Sequence, residues 1–158
     1  MSMRACRSVV RFAVFVALLS GCADGGLSAA TETDLQSAQD TWRGAGISDY
    51  QLVVTSGPNM ISPDGCEWSS AVRGDNVETA EVLVGSEFGC LEIEWSAERL
   101  HALVAELVLD LRRFESPEFG QHTMRVEYNE TGVPTVIEYD LANGDDEELS
   151  YRIAFSMR

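Results

Sequence analysis

The sequence predicts an α+β domain, in which one antiparallel sheet of about six strands carries two helices packed on one face. Three observations support this prediction. Apolar residues from Leu100 to Phe114 recur at helical spacing in one continuous stripe, which must be buried against a large surface. Several short segments alternate apolar and polar residues, as strands with one buried face do. Turn-forming Gly, Pro and Asp separate these segments, and the resulting order is α-β-β-β-α-β-β-β.

Residues 1–21 have the features of an export signal. Three arginines form a basic segment, and an apolar run of about eight residues from Phe12 to Leu19 follows. A transmembrane helix needs about 20 apolar residues, so this run is too short to span a bilayer. Leu19-Ser20-Gly21-Cys22 then resembles the lipobox of bacterial lipoproteins. The resemblance implies cleavage before Cys22 and diacylation of that cysteine, which would anchor the protein in a membrane through lipid.

The same resemblance implies where the protein is located. Residue 23 is Ala rather than Asp, which implies the outer membrane in a Gram-negative bacterium. In a Gram-positive bacterium the expected location is the outer face of the plasma membrane. Residues 22–30 are then the lipidated cysteine and a flexible Gly-, Ala- and Ser-rich tether, and residues 31–158 form a single domain.

The charge of the chain excludes one class of partner. Removing residues 1–21 removes three of the 11 basic residues and none of the 26 acidic ones, which leaves 8 against 26 and a net charge of −18. Such a surface repels polyanions, so we expect no binding of nucleic acid. It also predicts that the domain stands off from anionic headgroups.

Two cysteines remain for structural work. Cys6 leaves with the signal and Cys22 carries the lipid, so Cys66 and Cys90 are predicted to form a disulfide in an oxidising compartment. Two isolated cysteines with no nearby His do not have the ligand spacing of a metal site. No cofactor is expected.

The first half of the domain is predicted as a helix and three strands. The helix begins at Thr31 and ends at Gly44 to Gly46. A strand follows around residues 50–54. Residues 66–73 and 77–84 form a hairpin across Gly74-Asp75-Asn76.

The second half repeats that order. Ser96 is predicted to cap a helix that runs to about Phe114, and Ser116-Pro117 stops it. Three further strands are predicted at residues 122–129, 135–140 and 148–157.

Several short motifs together resemble the bacterial family known as domain of unknown function 6174, many of whose members carry lipoprotein signals. They are Trp42 with Ile47, Asp49 and Tyr50; Val72-Arg73-Gly74-Asp75-Asn76-Val77; Val126-Glu127-Tyr128-Asn129; Gly132-Val133-Pro134-Thr135; and Asp146-Glu147-Glu148-Leu149-Ser150-Tyr151. The resemblance covers most of residues 35–155. Because the family has no assigned activity, the resemblance implies a fold and a location but no catalytic residues.

The strongest chemical signal in the domain is a cluster of carboxylates. It consists of Asp140, Asp145, Asp146, Glu147 and Glu148, grouped around a predicted turn. Calcium prefers such oxygen ligands, but the spacing is not that of an EF-hand loop. We therefore treat the cluster as a candidate acidic contact surface or cation site.

The two histidines carry a weaker signal. No Ser or Cys in a nucleophile-elbow sequence accompanies His101 or His122, so partly buried structural roles are predicted for both.

The sequence favours a non-enzymatic binding or interaction module, held at the membrane by lipid and facing a protein or small ligand of the envelope. One alternative is a small hydrolase that uses carboxylates at the loop ends, and another is an inhibitor of an exported hydrolase. A concave pocket with two or more carboxylates would favour the enzyme. A flat or aromatic patch on the sheet would favour binding.

Overall fold

A computed structural model describes residues 27–58, 65–85, 90–114, 122–140 and 148–158 of the chain. The first helix, α1, spans Leu27–Ala45. It begins four residues before the predicted start at Thr31 and includes residues 27–30, which the sequence had assigned to the tether. Leu and Ala are strong helix formers, so nothing in Leu27-Ser28-Ala29-Ala30 stops the helix from extending toward the N-terminus.

The strands form a single antiparallel sheet of six, and the predicted fold class and element order are confirmed. The second helix, α2, spans Ala97–Phe114. The strands are β1 Asp49–Ser56, β2 Glu67–Arg73, β3 Asn76–Val84, β4 Thr123–Tyr128, β5 Pro134–Asp140 and β6 Leu149–Met157. Their spatial order is β3-β2-β1-β6-β5-β4, so the last strand of the sequence pairs with the first at the centre of the sheet.

The core lies between the helices and one face of this sheet. Along β1, Tyr50, Leu52 and Val54 alternate with more exposed neighbours, as a strand with one buried face requires. The register places Leu52 opposite Ser70 on one side and Phe155 on the other, so these side chains share the covered face.

Helix α2 supplies the largest apolar surface that packs on the sheet. Leu100, Val104, Val108 and Leu111 are each at most 3% exposed. At its start, the Ser96 hydroxyl accepts a hydrogen bond from the backbone N–H of Arg99 at 3.1 Å. The predicted N-cap is therefore confirmed, and it fixes the first turn of α2.

The two halves of the domain do not share one topology, although each has a helix followed by three strands. The strand after α1 is central in the sheet, whereas the strand after α2 lies at an edge. A tandem repeat would place equivalent strands in equivalent positions.

The predicted disulfide between Cys66 and Cys90 is present, with the two Cα atoms 5.9 Å apart. Two hydrogen bonds hold the residues that follow Cys90 against β2. Trp68 Nε1 donates to the carbonyl of Leu91 at 2.8 Å, and the backbone N–H of Trp95 donates to Ser70 Oγ at 3.2 Å. This segment leads directly into α2 and thereby positions its N-terminus.

Candidate functional site

A cleft of about 430 Å³ opens where the C-terminal end of α1 meets the first turn of α2 and the turn between β2 and β3. Its volume is within the range of small-ligand pockets. The residues that line it are Gln39, Trp42, Arg43, Gly46, Ile47, Asp75, Glu98, His101 and Ala102.

Glu98 is the best-positioned polar group of the cleft. The indole N–H of Trp42 donates a hydrogen bond to Glu98 Oε1 at 2.8 Å, and the Tyr50 hydroxyl makes a longer one to Oε2 at 3.5 Å. Glu98 also lies in the first turn of α2, where the helix dipole favours negative charge. The carboxylate is thus oriented from one side by α1 and β1 and is open to the cleft on the other.

Tyr50 connects this carboxylate to the core. It is 1% exposed, and its hydroxyl accepts a hydrogen bond from the backbone N–H of Ala97 at 3.1 Å. Burial, with the nearby charge of Glu98, raises the pKa of Tyr50 to about 12 despite the Ala97 hydrogen bond. The phenol therefore stays protonated and serves as a fixed donor.

The aromatic rings around Glu98 keep the donors in place. The ring centroids of Trp42 and Tyr50 are 5.3 Å apart in an edge-to-face arrangement, and Phe155 of β6 contacts both rings. Such pairs stabilise by about 0.5–1.5 kcal/mol beyond the burial of their area. The two donors of Glu98 are therefore part of a packed cluster.

The protonation state of Glu98 follows from its hydrogen bonds. Burial acts to raise the pKa of this carboxyl, but the indole N–H of Trp42, the backbone and the Ser96 hydroxyl together leave the pKa lowered. Glu98 is consequently ionised at neutral pH.

His101, one helical turn further along α2, is neutral instead. It is 4% exposed, and burial lowers its pKa, although its bond to the Gly132 carbonyl acts in the opposite direction. Nε2 lies 2.8 Å from that carbonyl oxygen and must donate, because a carbonyl only accepts. The ring therefore ties α2 to the turn between β4 and β5, which agrees with the structural role predicted for it.

The turn between β4 and β5 is shaped to meet both helices. Asn129 Oδ1 accepts hydrogen bonds from the backbone N–H groups of Thr131 and Val133, each at 3.0 Å. Gly132 has a φ of +84°, and a Cβ atom there would lie 2.2 Å from the carbonyl oxygen of Ala38 in α1. Only glycine permits this approach, which explains the glycine of the Gly132-Val133-Pro134-Thr135 motif.

The remaining charges of the cleft are Asp75 and Arg43. Asp75 belongs to the turn between β2 and β3 and adds a second carboxylate to the lining. Arg43 pairs with Asp40 of α1, Nη1 to Oδ1, at 2.9 Å, and the lining thus has two carboxylates, Asp75 and Glu98, against one guanidinium. The cleft is therefore negative overall.

This arrangement is suited to binding a positive charge more than to acid–base catalysis. A general acid at neutral pH needs a carboxyl whose pKa is raised, as by a wholly apolar site. The pKa of Glu98 is lowered, and the Nε2 proton of His101 is committed to Gly132.

The two described residues of the predicted acidic cluster lie away from this cleft. Asp140 ends β5 and Glu148 precedes β6, and both are exposed at the opposite end of β5 from the turn that binds His101. Asp145, Asp146 and Glu147 lie outside the described residues, as does Cys22.

Sequence reasoning missed Glu98 as a site residue. Trp42 and Tyr50 belong to the motifs that the sequence analysis names, whereas Glu98 falls inside the predicted second helix and is not singled out. Trp42 and Glu98 are 56 positions apart, and no local pattern indicates that their side chains meet.

Comparison with protein-family models, with curated proteins and with solved structures finds no match to this chain. In the part of the chain that the structure describes, neither helix is long and apolar enough to cross a membrane. Across the same residues, no three His, Cys, Asp or Glu side chains lie close enough together to hold a metal ion.

Proposed function

We propose that this chain is a lipid-anchored protein of the bacterial cell envelope and that its domain is a non-enzymatic binding module. The export signal and the lipobox at Cys22 support the anchor, and the resemblance to domain of unknown function 6174 supports the same location. The location is the outer membrane in a Gram-negative cell and the outer face of the plasma membrane in a Gram-positive cell.

The binding surface in this proposal is the Glu98 cleft. Its ligand is a positively charged group, an ammonium or guanidinium, carried by a small molecule or by a side chain of an envelope protein. The observation that carries the proposal is the ionised Glu98 carboxylate, held by Trp42 at 2.8 Å while it remains open to a cleft that Asp75 also lines. A preorganised carboxylate loses little entropy when a cation binds, which favours affinity.

The test uses methylguanidinium and putrescine as cationic probes and N-methylurea as a neutral analogue. The readout is the indole N–H resonance of Trp42 in an NMR titration, because this proton contacts Glu98 directly. We expect both cations to shift the resonance and N-methylurea to leave it unchanged. If neither cation shifts it at millimolar concentrations, the cleft is not a cation site.

A pair of matched variants makes the test specific. Glu98→Gln keeps the shape of the side chain and removes its charge, so it should abolish the shift. Glu106→Gln removes an equal charge from an exposed position of α2 outside the cleft and should retain it. If both variants lose the shift of the Trp42 resonance equally, the cations bind through the net charge of the protein and not through the cleft.

A hydrolase is the second candidate, because Asp75 and Glu98 line one concave cleft. A pair of carboxylates is what glycoside hydrolysis uses, with one of them protonated as the acid. The lowered pKa of Glu98 is unfavourable for that role and is the reason binding is preferred. An inhibitor of an exported hydrolase is the third candidate, and it would use the same acidic surface as a contact.

The anchor has its own test. Cys22→Ala should leave an uncut precursor or release the protein from membranes, because stable attachment needs the two acyl chains. Intact mass of the membrane-extracted wild type should begin at Cys22 and include acyl groups. A normally processed Cys22→Ala protein that stays on membranes would refute the lipid anchor.

A further inference from the structure

The two helices run in opposite directions, and contacts at both ends establish this. Glu32 near the start of α1 pairs with Arg112 in the last turn of α2. Trp42 near the end of α1 binds Glu98 in the first turn of α2. The domain therefore has a first end, where α1 begins and α2 finishes, and a second end, where the Glu98 cleft opens.

The separation of these ends follows from helix geometry. Fifteen residue steps separate Leu27 from Trp42, which at 1.5 Å per residue is about 22 Å. The whole of α1, with 19 residues, is about 28 Å long.

The distance that the chain can cover between Cys22 and Leu27 is shorter than α1. Five residue steps separate the two residues, and even a fully extended chain covers at most about 18 Å in that number. A helix that began at Thr31, as the sequence predicted, would have had a link of about 32 Å, long enough for the domain to turn over freely. The earlier helix start removes most of that freedom.

We propose that the first end of the domain faces the lipid bilayer and that the Glu98 cleft faces away from it. This inference rests on the proposed lipidation of Cys22. Its consequence is that the cleft takes its cationic ligand from the aqueous side of the membrane and does not bind a headgroup of the bilayer in which the protein is anchored.

The experiment uses the full-length lipidated protein in vesicles of phosphatidylcholine and phosphatidylglycerol that carry a nitroxide on some headgroups. A fluorophore is attached through Arg113→Cys at the first end or through Asn76→Cys beside the cleft, both at exposed positions. We expect loss of fluorescence from the label at position 113 and none from the label at position 76. Equal loss from both labels, or greater loss at position 76, would overturn the orientation.

Two controls separate this proposal from the anchor on which it rests. Insertion of a Gly-Ser segment of about ten residues after Gly26 lengthens the link and should make the two labels equally sensitive. Flotation of the vesicles reports the anchor independently. Protein that fails to float with the vesicles overturns the anchor and the orientation together, whereas floating protein with equally quenched labels overturns the orientation alone.

Discussion

Replacing Trp42 with Phe tests whether the indole N–H holds Glu98 ionised. The change keeps an aromatic ring beside Tyr50 and removes the 2.8 Å hydrogen bond to Glu98 Oε1. Hydrogen bonds to charged groups contribute roughly 1.5–3 kcal/mol to the free energy of unfolding. Because Glu98 is accessible to solvent, we expect Trp42→Phe to lower that free energy by about 1–2 kcal/mol. For a domain of this size that corresponds to a fall in Tm of about 4–8 °C.

The pH dependence of this loss is the sharper part of the prediction. The folded pKa of Glu98 is lowered, so its contribution to the free energy of unfolding is full above the unfolded value of about 4.3 and is lost as pH falls through the folded value. Trp42→Phe should therefore lower the free energy of unfolding most near neutral pH and less near about pH 3. It should also raise the pKa of Glu98 in an NMR titration.

Trp68→Phe is the matched control. Trp68 Nε1 donates to the backbone carbonyl of Leu91 at 2.8 Å, an acceptor that does not titrate. Its loss should destabilise the domain by about 1 kcal/mol at both pH values, measured by urea unfolding. An unchanged Glu98 pKa in Trp42→Phe, or a cost that is the same at both pH values, would refute the assigned role of the indole N–H.

Two further predictions concern stability. Replacing both Cys66 and Cys90 with Ala opens a loop of 24 residues and should lower the free energy of unfolding in urea by about 3 kcal/mol. Reduction of the wild-type disulfide should have the same effect. A decrease below about 1 kcal/mol would contradict this prediction. Gly132→Ala should cost about 2–4 kcal/mol, because the new Cβ adds a clash with the Ala38 carbonyl to the strain of a positive φ. Gly74 has a positive φ of +59° but open space around an added Cβ, so Gly74→Ala should lower the free energy of unfolding by only about 1 kcal/mol. Equal destabilisation by the two substitutions would show that the clash at Gly132 is absent.

Much of the fold could be predicted from local patterns. Apolar and polar residues alternate along β1 and β4, and the cap at Ser96 is read from adjacent residues, so short-range chemistry is sufficient to place these elements. The start of α1 was predicted too late because Thr31 resembles a cap, while the residues before it also favour a helix. Local signals of similar strength compete at such a boundary.

The candidate site could not be predicted in the same way. The carboxylates around residues 140–148 attract attention because they are adjacent in sequence, yet Asp140 and Glu148 lie away from the cleft. Glu98 becomes distinctive only through donors on α1 and β1 that the fold brings to it. Proximity in sequence and proximity in space therefore indicated different carboxylates.

The position of β6 has a consequence for how the chain folds. Among the strands that the structure describes, β6 alone links β1–β3 to β4–β5, and it pairs Tyr50 with Met157 across more than a hundred residues of sequence. Closing so large a loop is entropically costly before any contact compensates for it, and folding rates fall as such distant contacts dominate. The three strands β1–β3 and the hairpin β4–β5 can join into one sheet only after β6 has paired with both, so a chain interrupted before residue 149 would lack the strand that connects them.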